Sequence, residues 1–427
     1  MNKNEIKSLL LAEIDKNRDK IIAIGEEILK NPEMGYKEYK TSAIVEKELA
    51  KIGIKAETGL AVTGVKGRMH GKSSDISVAV MGELDAVTCA TNPDADPTTG
   101  AAHACGHNAQ IAAMLGAAMG LSVVKEYLDG DVCFFAVPAE EFVEMAFREG
   151  LARDGKISFL GGKQELIRIG AFDDIDMAMM VHAEGQTPGA CAIVGGSSLG
   201  FVAKTVEFKG KAAHAGGAPH EGINALNAAM AALMCIHAQR ETFRDEDKIR
   251  VHPIITNGGE LVNIVPANVT METYVRGANF KAITDASEKV DRAIKGSAYA
   301  IGAEAEIKNL KGYLPLLQNP EMSEIFAENA KTLIPEDKIF SGIDMVGSSD
   351  VGDLSHIIPT IQPTMGGFLG SAHSREFKIS DPDLAYIQPA KLMALTVIDL
   401  LFDGARVAKK IKADFKPVLT KQEYINA

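Results

Sequence analysis

Ile76-Ser77-Val78-Ala79-Val80-Met81-Gly82-Glu83-Leu84-Asp85-Ala86-Val87 starts as a nearly unbroken apolar run and ends on two carboxylates. A strand with one wet face alternates polar and apolar residues. A run without alternation is buried on both faces, as in the middle of a parallel sheet. Asp131-Val132-Cys133-Phe134-Phe135-Ala136-Val137-Pro138 repeats the pattern and leads into Ala139-Glu140-Glu141, and Met177-Ala178-Met179-Met180-Val181 leads into His182-Ala183-Glu184. Between the first two runs lies a small-residue apolar stretch of helical length, about Ala109–Tyr127. This alternation predicts an α/β domain with a mostly parallel sheet, and such sheets place ligand sites beyond the carboxyl ends of their strands. Here those ends carry Glu83, Asp85, Glu140, Glu141 and His182.

Ala102-His103-Ala104-Cys105-Gly106-His107-Asn108 stands directly before that helix. A thiol and an imidazole two residues apart are donors suited to zinc and its neighbours, with further ligands arriving from elsewhere in the fold. Taken alone, a Cys-x-His is more often a buried thiol beside a loop histidine, a Glu-Glu more often a solvated pair, and a single histidine more often satisfied. Gathered on successive strand ends they point instead to a metallohydrolase. One glutamate of the Glu140-Glu141 pair binds metal while its neighbour acts as general base on the water that attacks a carbonyl. His373, in the Gly-rich stretch Met365–Ser374, offers another imidazole.

Outward from this centre, apolar residues recur at helical spacing from Lys3 to Lys30 and from Thr41 to Ile52. Around Gly195–Gly200 the composition turns rich in Gly and Ser, which marks a boundary. The next segment reads strand (Phe201–Phe208), helix (Ile223 to about Phe243), strand (Ile249–Thr256), strand (Asn268–Arg276), helix (about Lys281–Ile301), strand (Ala303–Leu310). That order is the ferredoxin-like β-α-β-β-α-β sandwich. Past Gly312 the first rhythm returns, with a helix near Glu321–Leu333, a loop Ser348–Asp353 and a last helix from about Tyr386 to Lys410. The expected organisation is therefore a discontinuous metal-binding domain, 1–197 and 312–427, with a smaller lid or dimerisation domain, 198–311, inserted in it.

Composition agrees with a globular enzyme: 427 residues, 46% hydrophobic and 24% charged, enough chain for two cores. A net charge of −12 without a basic run argues against nucleic acid or an anionic membrane surface as partner. Charges interrupt every candidate membrane span, and the first residues lack the apolar core of a signal peptide. Five scattered cysteines (Cys89, Cys105, Cys133, Cys191, Cys235) argue against a disulfide framework and lead us to expect a reducing cytoplasm.

Eight motifs in order resemble one family: Glu83-Leu84-Asp85-Ala86, His103-Ala104-Cys105-Gly106-His107, Pro138-Ala139-Glu140-Glu141, Val181-His182, His214-Ala215 with Pro219-His220, Asn263-Ile264-Val265-Pro266, Arg276 and His373-Ser374. The resemblance, over nearly the whole chain, is to the amidohydrolase branch of the dinuclear-metal aminoacylase/carboxypeptidase metallopeptidases. Within it the chain looks nearest to aminobenzoyl-glutamate hydrolase-like and N-acyl-amino-acid amidohydrolases. The resemblance implies two divalent ions, zinc or manganese, with cobalt or nickel as alternatives, held by Cys105, His107, Glu141, His182 and His373. It implies Glu140 as catalytic base and Asp85 as the residue that orients a metal-bound histidine. His214 would stabilise the oxyanion, with reach into the partner subunit's site across a homodimer. Asn263 and Arg276 would hold the substrate carboxylate, and the loop Gly366–Gly370, Gly367 included, would line the substrate pocket.

Two departures stand out. Many relatives have an acid where this chain has Asn108, and other branches have a metal-binding histidine where it has Glu83. The substrate expected is an N-acyl or N-aroyl amino acid. Alternatives are a dipeptide cleaved by the same fold or, from another class, a thiol hydrolase with Cys105 as nucleophile.

Overall fold

The computed structural model describes residues 1–185 and 187–426. These form two compact units: Met1–Ser197 with Leu317–Asp344 and Asp353–Ala427, and Ser198–Leu316 with Met345–Gly352. Two stretches differ from the expected division, since 312–316 and 345–352 pack with the smaller unit. Hydrogen bonds account for this: Phe201 N donates to Tyr313 O (2.8 Å), and Leu199 N donates to Gly347 O (2.9 Å).

The first unit is built on a six-stranded sheet ordered Ala56–Leu60, Gly64–Met69, Asp131–Val137, Ser77–Glu83, Met177–Met179, Thr360–Ile361. The four strands from Asp131–Val137 onward run parallel, and the first two are antiparallel additions at one edge. Ser77–Glu83 and Asp131–Val137 are buried at every residue, which is why their sequences are apolar without alternation. The helix His107–Ser122 is buried on all sides except at Ser122. Its alanines and glycines let neighbours approach closely: a Cβ at Gly116 would lie 2.9 Å from Ala390 Cβ.

Several elements break where the sequence reads as continuous. The first helix divides at Asn17 into Lys3–Lys16 and Arg18–Leu29. The run Met177–Glu184 contributes Met177–Met179 to the main sheet but His182–Ala183 to a second, four-stranded sheet, where His182 pairs with Thr364. The last helix stops at Leu401 and resumes at Arg406–Asp414. Contrary to the expectation that charges interrupt every span, Asp383–Leu401 is long and apolar enough to cross a membrane, yet 78% of that window is buried against the rest of the unit.

In the second unit a fully antiparallel sheet is ordered Arg250–Val251 with Ile254–Asn257, then Asn268–Gly277, Gly200–Lys209 and Glu304–Lys311. Helices Ala225–Ala238 and Phe280–Ile301 bury Ala228, Ala232, Ile236, Val290 and Ile294 against Val206, Phe208, Val269 and Met271. The expected strand Ile249–Thr256 is interrupted at His252-Pro253, because proline cannot donate to a ladder.

Candidate metal centre

Glu83 and Asp85 leave the end of Ser77–Glu83, while Glu140 and Glu141 follow Asp131–Val137 in the parallel neighbour. Gly106 turns the chain from Cys105 into the helix at φ 81°, and a Cβ there would lie 2.6 Å from Ala183 Cβ. Glycine is therefore required by both backbone and space. His182 arrives from the second sheet, and His373 sits at φ 61° with its amide bonded to Ala104 O (2.8 Å).

These turns bring potential ligand atoms together in three overlapping groups, each with atoms within 4.8 Å of one another: Cys105, His107 and His182; Cys105, Glu141 and His373; Glu83, His107 and Glu140. The thiol belongs to two groups and the His107 imidazole to two. Cys105 Sγ lies 3.5 Å from His182 Nε2. His107 Nδ1 lies 2.8 Å from the Asp85 carbonyl oxygen, which can only accept. Nδ1 therefore carries a hydrogen, and Nε2 is the nitrogen that faces the cluster. Asp85 thus orients His107 through its main chain, while its carboxylate accepts from Glu141 N (2.9 Å).

Asp85 Oδ1, His107 Nε2 and Glu141 Oε1 are buried without a hydrogen bond. His107 Nε2 is 3.0 Å from Glu83 Oε2, and Glu141 Oε1 is 3.0 Å from His373 Nε2, but neither pair has hydrogen-bond alignment. Buried polar atoms left this way are costly unless something else satisfies them. One sulfur, three imidazoles and buried carboxylates are the donors that zinc-like divalent ions take, so the residues fit such ions.

The charges reinforce one another. Burial alone would raise the Cys105 thiol, but His182 and His107 pull it well below its ordinary value. Burial lowers His107, and Glu83 and Asp85 more than reverse that. Burial and the Cys105 charge push Glu141 up to about 7. His373 is raised to about 11 by its contacts with Cys105 and Glu141.

Residue Glu83, where other branches carry histidine, is held by partners that the sequence did not single out. Lys163 Nζ donates to its Oε1 (2.6 Å) and Gln110 Nε2 to its Oε2 (2.8 Å), with both ionic side chains fully buried. Lys163 lies in the first turn of the short helix Gly162–Arg168, and no spacing connects it to Glu83.

Four further expected residues are not in these donor groups, and three of them belong to the second unit. His214 is an exposed residue of the second unit, and its Nδ1 accepts from Gly216 N (3.2 Å) and Gly217 N (2.9 Å). Its hydrogen is therefore on Nε2, available to donate. Asn263 is exposed there too, its carbonyl accepting from Ala215 N (2.9 Å). Arg276 rests 5.3 Å from the Phe201 ring centroid and 5.5 Å from that of Tyr274, and donates to Ser348 Oγ (2.8 Å). In the first unit, Gly367 is buried in a turn at φ 100°, where its carbonyl accepts from Ser380 N (2.8 Å).

Residues 79–394 match the model of peptidase family M20/M25/M40. The chain belongs to this family. The chain is similar to the Xaa-Arg dipeptidase of Mus musculus, 27% identical over 97% of this chain and 93% of that protein. The IAA-amino acid hydrolase ILR1-like 2 of Arabidopsis thaliana is 26% identical over 86% of this chain and 82% of its own. A solved structure of the Bacillus subtilis YxeP protein, described as a dinuclear metal binding peptidase from the M20 family, shares the fold at a TM-score of 0.70 and 21% identity, covering 91% and 99% of the two chains. As a family member, this protein is a metal-dependent hydrolase of amide bonds.

Proposed function

We propose that this hydrolase cleaves the amide joining an acyl, aroyl or aminoacyl group to a single amino acid whose carboxylate is free. The observation that carries this reading is the pair of donor groups sharing Cys105, with Glu140 in the adjoining group. Divalent ions held by Cys105, His107, Glu141, His182 and His373 would polarise the scissile carbonyl and bring the pKa of water toward neutrality. Glu140 takes the proton of the attacking water and delivers it to the leaving nitrogen. In the second unit, Nε2 of His214 donates to the developing oxyanion, and Arg276 with Asn263 selects the carboxylate. Both a dipeptidase and an amino-acid-conjugate hydrolase among the relatives support a leaving group of this size. The thiolate favours zinc or another softer ion over magnesium or calcium.

The test is ion content per chain together with turnover of a panel: hippurate, N-acetyl amino acids, aminobenzoyl-glutamate and Xaa-Arg dipeptides. The expected result is near two ions, activity lost on chelation and restored by metal, and cleavage confined to substrates with a free carboxylate. Glu140→Gln should bind ions normally and lose ~100-fold or more in kcat. Turnover that survives complete chelation would overturn the mechanism and assign the attack to Cys105.

A further inference from the structure

We propose that Arg148 is a positioning residue, whose guanidinium holds the backbone on both sides of Glu140. The inference rests on the reading of Glu140 as base.

Arg148 lies on the helix Met145–Arg153, in a stretch whose charged residues read as solvated, yet it is one of the largest fully buried side chains of the chain. Burying a guanidinium is costly unless its N–H groups are used. The terminal nitrogens reach main-chain carbonyls, while Nε is buried without a hydrogen bond: Nη1 donates to Ala139 O (3.3 Å) and Leu160 O (2.7 Å), and Nη2 donates to Glu141 O. Two of the three acceptors flank Glu140.

The amides of the same two residues are met by buried carboxylates. Glu38 Oε1 accepts from Ala139 N (2.8 Å), and Asp85 Oδ2 accepts from Glu141 N (2.9 Å). The N–H and C=O groups of Ala139 and Glu141 are thus all bound by ionisable side chains, drawn from three separate parts of the chain. Packing alone does not call for ionisable groups here; control of backbone direction does.

The conformation needs such control. Ala139 has φ 54°, in the left-handed region that a Cβ disfavours, and such residues persist where their surroundings over-determine them. Gly162 closes the other side, donating to Ala139 O (3.1 Å), and a Cβ on it would lie 1.6 Å from Pro138 O. The guanidinium presents its donors on separate nitrogens in a fixed planar fork, whereas a lysine ammonium gathers its three donors at one point and cannot keep that spacing.

The experiment uses the full-length, metal-loaded protein with Arg148→Lys and Arg148→Ala beside Glu140→Gln. It measures kcat, KM, ion content, urea midpoint and hydrogen exchange of the segment around 138–143. We expect Arg148→Lys to fold and keep its ions, to lose ~100-fold in kcat with KM within ~3-fold, and to exchange faster at Ala139 and Glu141. Exchange in the strand Asp131–Val137 should not change. The proposal is overturned if Arg148→Lys keeps kcat within ~3-fold with unchanged loop exchange, or if its activity falls only with its folded fraction. Should neither variant fold, wild-type exchange decides: Ala139 and Glu141 amides as slow as the neighbouring strand uphold the clamp, and loop-like rates refute it. Normal turnover by Glu140→Gln would instead remove the reading of the base, leaving the exchange result to stand separately.

Discussion

Lys163 and Glu83 meet at 2.6 Å with neither side chain exposed. At an effective dielectric near 20 their attraction is about 6 kcal/mol, and it is opposed by a desolvation cost of several kcal/mol per ion. The pair therefore adds little net stability, but either member alone is expensive. Lys163→Met leaves Glu83 buried with only Gln110 and the His107 imidazole to meet it, and should cost about 3–5 kcal/mol. His107 can answer part of the charge, so the lower end of that range is expected. Adding Glu83→Gln to Lys163→Met removes the orphaned charge and should recover at least ~2 kcal/mol relative to the single variant. Urea unfolding of the metal-free protein, followed by circular dichroism for wild type, both single variants and the double, gives the coupling directly. A Lys163→Met cost below ~1 kcal/mol, or a double variant as weak as the sum of the singles, would refute the argument.

Asn108, where many relatives carry an acid, donates from Nδ2 to Gly25 O (3.2 Å) and Tyr386 Oη (3.1 Å) in a buried setting. Asn108→Asp would turn an acceptor toward a carbonyl and should cost about 2–4 kcal/mol in urea unfolding, so unchanged stability would count against the assigned amide orientation. Burial would raise the Asp399 carboxyl, but Lys7, Lys3 and Asn329 together hold it below its ordinary value. The unfolded chain then takes up this proton at higher pH than the folded one. The contribution is complete above the ordinary carboxylate range and is lost as pH falls from there through the lowered value of the folded state. Asp399→Asn should cost about 1 kcal/mol at neutral pH, with the gap to wild type closing in acid; a gap independent of pH would contradict this.

The central strands could be read from sequence because burial on both faces leaves an apolar run that polar residues cannot imitate. The donors could be read for a related reason: Glu83, Asp85, Glu140, Glu141 and His182 stand where such runs stop. Breaks were harder, since Met177–Glu184 has one uniform character but crosses from one sheet to another. Lys163 and Arg148 were not legible at all. Their burial depends on partners such as Glu83, 80 residues away from Lys163, and a charged residue in a charged stretch carries no sign of being inside. Nor does an Asp-to-His relationship in sequence tell that the Asp85 carbonyl would meet His107 Nδ1 at 2.8 Å, closer than its carboxylate at 3.4 Å.

The helix that begins at His107 has almost no surface of its own. Every substitution from His107 to Leu121 is a substitution in the core, and at Gly116 or Gly120 even a methyl group meets a neighbour within 3 Å. Such a segment cannot drift: the sequence space open to it is nearly closed, and its imidazole is tethered to the least mutable part of the protein. New substrate preferences reached by single substitutions must therefore arise outside this helix, in positions with room to vary, while the chemistry at its mouth stays as it is.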